Sequence, residues 1–285
     1  MPLPDSTQPA WDDTLLNNPH AVADKRSRVK RMFAAIAPSY DINNRLHSLW
    51  QDQRWRKKAV KLAMLKPTDR VVDVACGTGD LSLAFARRLA ALRNRPIGNQ
   101  QVIGIDFTFE MLPIARQKSL RLARRFGVSD LKSQISNLRS EISDSRSPIG
   151  YINGDALALP LSDGCADVVS IAFGIRNVQD PAAACREFFR VLRPGGRLII
   201  LEFSLPENRV LRNLYNAYFQ RILPRTATLI SGDRTGAYKY LPQSVNTFIT
   251  RERMMQMMTD AGFARVQQFP LTFGVCVCYR GVKTD

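Results

Sequence analysis

The stretch "VVDVACGTGD" (residues 71–80) decides the fold. A run of β-branched residues ends in an acid, and a glycine-rich turn then opens the amphipathic pattern "GDLSLAFARRLAAL" (79–92). Glycines let the backbone turn tightly and approach a ligand with no Cβ in the way. In a doubly wound sheet such a turn lies at a strand's carboxyl end, beside the topological switch point. Two nucleotide chemistries use this geometry. A dinucleotide pyrophosphate needs G-x-G-x-x-G, but position 82 is Ser, and the carboxylates of Asp73 and Asp80 would repel it. S-adenosylmethionine (AdoMet) carries a sulfonium and an ammonium instead, so acids beside the turn, Asp73 among them, suit it.

Outward from this stretch the chain alternates. "QQVIGIDF", "IGYINGD", "ADVVSIAF" and "PGGRLIILEFS" read as further strands, and "FEMLPIARQKSLRLARRFG" and "PAAACREFFRVLR" as helices between them. Such alternation predicts an α/β, doubly wound, mainly parallel sheet of seven strands, Rossmann-like and covered on both faces. The end differs: "ARVQQFPLTFGVCVCYRG" reads as an antiparallel hairpin through "PLTFG". Ahead of the sheet, 25–35 and 47–65 read as helices, the second ending before Pro67. The polar "APSYDINNRL" reads as their connection. The expected organisation is a disordered tail over 1–24 and one domain over 25–285, with a helical lid at 25–66. The polar, Ser-rich 128–148 reads as a surface insertion, and "RNRPIGN" (93–99) as a lengthened loop.

Two further stretches extend the ligand argument. In "GIDFTFEML" (104–112), Asp106 stands at the tip of the second strand, where an acid can accept both ribose hydroxyls of an adenosine. Phe107 follows it, beside the adenine position. In "NGDALALPLSDGCADVV" (153–169), Asp155 can take the adenine amino group, and Ala156 leaves room for the ring. Together these predict an adenosine pocket. Still undecided is "AFGIRNVQDP" (172–181), where Arg176 and Asn177 either tidy a strand-to-helix turn or face a second substrate.

Composition narrows the class. The 285 residues are 45% hydrophobic, enough for a full core. No apolar run approaches the roughly 20 residues that span a bilayer. The N-terminus lacks the basic and apolar regions of a signal or transit peptide, so a cytoplasmic location is expected. Five cysteines show neither a pairing framework nor metal spacing. Net charge is +16, and residues 24–70 hold thirteen Lys/Arg against four Asp, so +9 sits ahead of the first clear strand. Such a patch attracts nucleic acid or an anionic membrane.

The motifs "DVACGTGD", "GIDFTFEML", "GDALALPLSD", "FGIRNVQD", "RVLRPGGRLIILEFS", "YKYLPQS" and "YDINNRL" resemble the UbiE/MenG family of quinone-biosynthesis C-methyltransferases, over about residues 28–282. The resemblance implies AdoMet bound through Thr78 with Gly77 and Gly79, and assigns Asp106, Asp155 and Ala156 to the same cofactor. Some relatives carry Asn in place of Asp155, Ser in place of Ala172, or Gly in place of Trp50. It also implies a polyprenyl hydroquinone acceptor, methylated on a ring carbon.

That chemistry needs a group that favours the phenolate. His20 and His47, the only histidines, are poorly placed for it. A guanidinium lowers a neighbouring hydroxyl's pKa, so Arg176 is the expected activator. Asn177 would orient a water or the second oxygen, and Tyr40 would close over the site. Asp41 is a weaker candidate proton acceptor. No metal is expected, since proximity alone can supply roughly 7–11 kcal/mol. The lipid-borne acceptor predicts peripheral docking on the inner membrane face through basic residues 25–61, and a homodimer is left open. A base methylase would place a different catalytic set after the fourth strand, so no nucleic-acid partner is expected. The ring system leans weakly to the demethylmenaquinone enzymes, with a benzoquinol as the alternative.

Overall fold

A computed structural model of the chain describes residues 10–93, 101–125, 147–233 and 235–284. Three helices come first: α1 (Lys25–Ile36), α2 (Tyr40–His47) and α3 (Gln51–Leu62). Then follow β1 (Val71–Val74), α4 (Asp80–Arg93), β2 (Val102–Asp106), α5 (Leu112–Arg125), β3 (Ile149–Asn153), β4 (Ala166–Ala172), α6 (Pro181–Val191) and β5 (Leu192–Phe203). Four more helices, α7 (Arg209–Ala217), α8 (Leu223–Ser231), α9 (Ala237–Asn246) and α10 (Arg251–Asp260), precede β6 (Phe263–Leu271) and β7 (Cys276–Lys283). A π turn over Tyr218–Ile222 joins α7 to α8.

The seven strands form one sheet in the order β3-β2-β1-β4-β5-β7-β6. The first five are parallel; β7 runs antiparallel to both β5 and β6, so the expected hairpin closes the sheet. β1 and β4 read as unbroken apolar runs because both faces are covered. Val72, Val74 and Ile171 pack with Phe188 of α6 on one side. Val71 and Val168 pack with Phe85 of α4 and Trp55 of α3 on the other, where Cys276 and Cys278 share a buried face. The strand order reverses between β1 and β4, and that is where the cleft opens.

A third, smaller core joins the N-terminal helices to α8 and α9. It corrects the expectation of a loose tail over 1–24. From Ala10 onward the segment is packed: Trp11 is 2% exposed, stacks on Tyr240 at 4.4 Å, and donates its backbone N–H to Thr235 O. A large aromatic side chain outweighs the polar residues around it. Trp11→Ala is expected to cost about 3–5 kcal/mol in chemical denaturation, as for other large core truncations.

Two other expectations change. The "APSYDINNRL" stretch is not an open connection: Tyr40–His47 is helical, with Tyr40 edge-on to Phe33 at 5.9 Å. Leu49 and Trp50, which follow α2, have φ of +50° and +60°. That left-handed region favours glycine, and here a leucine and a tryptophan adopt it. The insertions at 93–99 and 128–148 lie outside the described residues, except Arg93, Ser147 and Pro148.

Candidate active site

A cleft of about 660 Å³, its open mouth included, lies at the carboxyl ends of β1, β2 and β4. Gly77, Asp106, Asp155, Ala156 and Asn177 line it, with Phe33 and Tyr40 from the N-terminal helices. Gly77 has φ +53°, and a Cβ there would meet only Tyr40 Cε1 at 3.9 Å, so the turn presents open backbone to the cleft. Gly79 has a different reason to be glycine: at φ +80°, an added Cβ would lie 2.7 Å from the Tyr151 hydroxyl.

Asp106 holds the turn in place. One carboxylate oxygen accepts from Gly77 N–H at 2.7 Å and the other from Thr108 N–H at 2.7 Å. Burial pushes its pKa up to about 6, against the pull of those two N–H donors. Asp73 is also raised to about 6, again chiefly by burial; Ser82 and Ser170 donate to it at 2.5 and 2.7 Å. Ser82, the residue that breaks the dinucleotide pattern, therefore serves the acid below the turn. Asp155 accepts from Leu157 N–H at 3.0 Å and pairs with Arg26 of α1 at 2.9 Å. Carboxylates have four acceptor sites, so both Asp106 and Asp155 keep capacity for a ligand. Arg26 also lies over the Phe107 ring at 4.6 Å, covering this end of the cleft with α1.

Thr78 is 3% exposed, and its hydroxyl donates to Asp41 at 2.5 Å. Asp41 also accepts from Lys118 Nζ at 2.8 Å, and Lys118 pairs with Asp80. The acids at this end are thus tied to one lysine, and Asp41 is committed to that network instead of standing free as a base. Lys118 had no signal in the sequence. It sits on the helix after β2 and reads there as one more solvent-facing cation.

A second cavity of about 620 Å³ adjoins the first. Met32, Ile36, Phe173, Phe203, Tyr238 and Tyr240 supply apolar and aromatic walls; Tyr40, Ser48, Asp52, Arg56 and Arg176 add polar groups. Tyr40 lines both cavities, as well as a smaller one at Gly77–Asp80. Its hydroxyl pKa is raised by burial, so it stays a donor. Arg56 pairs with Asp52 at 2.8 Å within α3, and neither residue was singled out in the sequence.

The structure brings Arg176 to the wall of this second cavity, 4% exposed. Its guanidinium donates to Glu202 at 2.5 Å and to Phe173 O at 2.8 Å. Asn177 donates to the same carbonyl at 3.2 Å and accepts from the Tyr240 hydroxyl at 2.9 Å. Phe173 has φ +58°, so the pair does staple a strained turn. The pair thus ties up this turn, while Arg176 also lines the second cavity.

Neither histidine lines the two cavities, although His20 sits beside Lys25 and the Arg176 backbone. His20 meets Ser244 O at 2.9 Å, and burial pushes its pKa down to about 4. His47 meets Asn43 O and Thr226. Burial pushes Cys185 and Cys278 up to about 12, so these thiols stay protonated. Among the described residues no three His, Cys, Asp or Glu side chains group so as to hold a metal ion.

A glycine turn after the central strand, an acid capping it from the next strand and a cleft at the switch point define a class I AdoMet-dependent methyltransferase. An AdoMet-dependent methyltransferase structure from Thermotoga maritima, titled a possible histamine N-methyltransferase, shares this fold at TM-score 0.53 and 20% identity, covering 90% of this chain and all of that one. The chain belongs to the ubiE/COQ5 methyltransferase family, whose model matches residues 21–283. It is 42% identical over 250 residues to the demethylmenaquinone methyltransferase of Thermus thermophilus, covering 88% of this chain and 99% of that protein. It is 39% identical over 264 residues to a ubiquinone/menaquinone biosynthesis C-methyltransferase of Geobacter sp. strain M21, covering 93% of this chain and 100% of that protein.

Proposed function

We propose that this methyltransferase acts on a ring carbon of a polyprenyl hydroquinone, converting a demethylmenaquinol to a menaquinol. The observation that carries the reading is the aromatic-walled second cavity, joined to the AdoMet cleft at Tyr40. A flat hydroquinone ring fits such walls, and the kinship with the Thermus enzyme supports the naphthoquinol. The Geobacter relative's name covers both ring systems, which keeps a benzoquinol as the second reading.

AdoMet, when bound, supplies an electrophilic methyl group on a positively charged sulfur. The residues proposed to hold it are Asp73, Gly77, Thr78, Gly79, Asp106, Asp155 and Ala156. Asp106 accepts the ribose hydroxyls while its oxygens hold the Gly77 turn, and Ala156 leaves space for the adenine. Arg176 is proposed to favour loss of the acceptor's hydroxyl proton, because a guanidinium stabilises the phenolate. Tyr40 donates to the acceptor from between the two cavities, and Asn177 orients the second oxygen. As the sulfonium and phenolate charges cancel during transfer, a water-poor site helps, and α1 and α2 provide the cover.

The test is methyl transfer by purified protein, offered AdoMet with a demethylmenaquinol or a 2-polyprenyl-6-methoxybenzoquinol. The expected product is the C-methylated naphthoquinol. Preference for the benzoquinol would favour the second reading; transfer to RNA and to neither quinol would overturn both.

Peripheral contact with anionic lipid is part of this proposal, since the acceptor lives in a bilayer. No described helix is long and apolar enough to cross a membrane. Two cations expected to meet lipid are used internally: Lys25 is 1% exposed and donates to Arg176 O and Val178 O, and Arg56 is buried in its pair with Asp52; Arg26 pairs with Asp155 but stays largely exposed. Arg54, Lys57, Lys58 and Lys61 of α3 remain exposed.

A further inference from the structure

We infer that the outer face of α2, α7 and α8 is the surface that docks on an anionic bilayer. No residue of α7 is buried, although it carries Val210, Leu211 and Leu214. In the next two segments Ile222 and Leu229 are 52% and 83% exposed. This strip continues across a hydrogen-bonded seam: His47 of α2 meets Thr226 of α8 at 2.8 Å, and the Tyr218 hydroxyl donates to His47 O at 3.3 Å. Beyond the seam, Leu49 and Trp50 are 76% and 55% exposed. Soluble surfaces rarely expose so many large apolar side chains together without a partner.

The backbone strengthens the point. Leu49 and Trp50 hold their side chains out at φ +50° and +60°, a conformation that is costly for non-glycine residues. The tryptophan ring is more than half exposed there, and strain of this kind concentrates where a surface has work to do.

Charge selects the occupant. Residues 209–231 contain Arg209, Arg212, Arg221 and Arg225 and no acid. A two-fold dimer through this face would press one basic patch on another, because a two-fold interface presents the same patch from both subunits. An anionic lipid surface instead meets the arginines with phosphates while the apolar strip enters the acyl boundary, the arrangement of an interfacial amphipathic helix. Tyr40 and Asn44, on the inner side of α2, and Ser48 just past its end line the second cavity, so one helix separates the lipid face from the acceptor site. That last connection rests on the proposed acceptor; the surface itself does not.

The test uses the full chain and vesicles of phosphatidylglycerol and phosphatidylcholine, with neither AdoMet nor quinol present. Trp11 and Trp55 are buried, so a vesicle-induced change in tryptophan emission reports Trp50. The expected result is a blue shift, with quenching by brominated lipid. Ile222→Glu with Leu229→Glu should lower vesicle partitioning about tenfold or more, as should Arg221→Glu with Arg225→Glu, while AdoMet affinity stays unchanged. Unshifted emission in the wild type, or unchanged partitioning in both variants, overturns the inference. So does a dimer in sedimentation equilibrium that the Ile222→Glu, Leu229→Glu variant loses, for then a second copy covers the face. Neither outcome bears on which quinol is methylated, and the wild-type emission decides even if a variant folds poorly.

Discussion

Arg176→Ala is expected to destabilise the protein by about 3–5 kcal/mol, because it leaves Glu202 charged, buried and without its partner. Low turnover in that variant alone would therefore say little about chemistry. A second variant separates the roles. Arg176→Met with Glu202→Gln removes both charges; Gln keeps an oxygen for the Phe203 N–H that Glu202 now receives at 2.8 Å, but not for the residue-176 N–H that its other oxygen accepts at 3.3 Å. Part of the lost stability should return in urea unfolding. If the guanidinium favours the phenolate, turnover should remain down by roughly 10²–10³-fold, the size seen when one electrostatic stabiliser is removed. AdoMet affinity should match the wild type, since Arg176 faces the second cavity and not the adenosine cleft. Recovery of turnover along with stability would reduce Arg176 to a staple for the Phe173 turn.

The Arg176–Glu202 pair also shows where sequence reading stops. "FGIRN" and "LEFS" are separate motifs in the chain, 26 residues apart at the two charges. They meet because β4 and β5 are adjacent parallel strands whose carboxyl ends lie side by side. A reader who had the strand order could have paired them; composition and spacing could not. The residues proposed to hold AdoMet are more legible, since they sit at the ends of strands whose apolar runs are unmistakable. The N-terminal helices are less so. Pro38, Asp41, Asn43 and Asn44 are turn formers, yet α2 is helical because Tyr40 packs on Phe33 and His47 on α8. Helices α7 to α9 give no sheet-facing pattern to read, because their apolar residues face the N-terminal segment or the solvent. Lys118 and Asp52 are missed for a related reason: a charged residue on a helix announces nothing until its partner across the fold is known.

Asp106→Asn is expected to weaken AdoMet binding about 100-fold, measured by calorimetric titration. The wild-type carboxylate accepts a backbone N–H on each oxygen. An amide must turn its NH₂ toward one of those donors, which displaces the Gly77 turn, and it accepts the ribose hydroxyls without charge assistance; the loss at the ribose and the turn, on the order of 3 kcal/mol, is what the affinity reads. The pH dependence follows from the same burial. With its pKa raised from 3.8 to about 6, Asp106 is ionised at neutral pH and able to accept the ribose hydroxyls. Affinity should therefore fall as pH drops through about 6, approaching tenfold per pH unit below it, and the Asn variant should show a shallower slope. Folding stability moves the other way. The native state holds this proton more tightly than the unfolded chain, so this group's contribution to stability is largest below about 4 and is lost as pH rises through about 6. Asp73, raised to the same value by burial, acts in the same sense. Between pH 4 and 6 these two acids thus favour a folded protein that has lost its hold on AdoMet. A wild-type affinity that stays flat from pH 7.5 to 5 would show that Asp106 does not titrate against the cofactor, and would move the ribose contact elsewhere in the cleft.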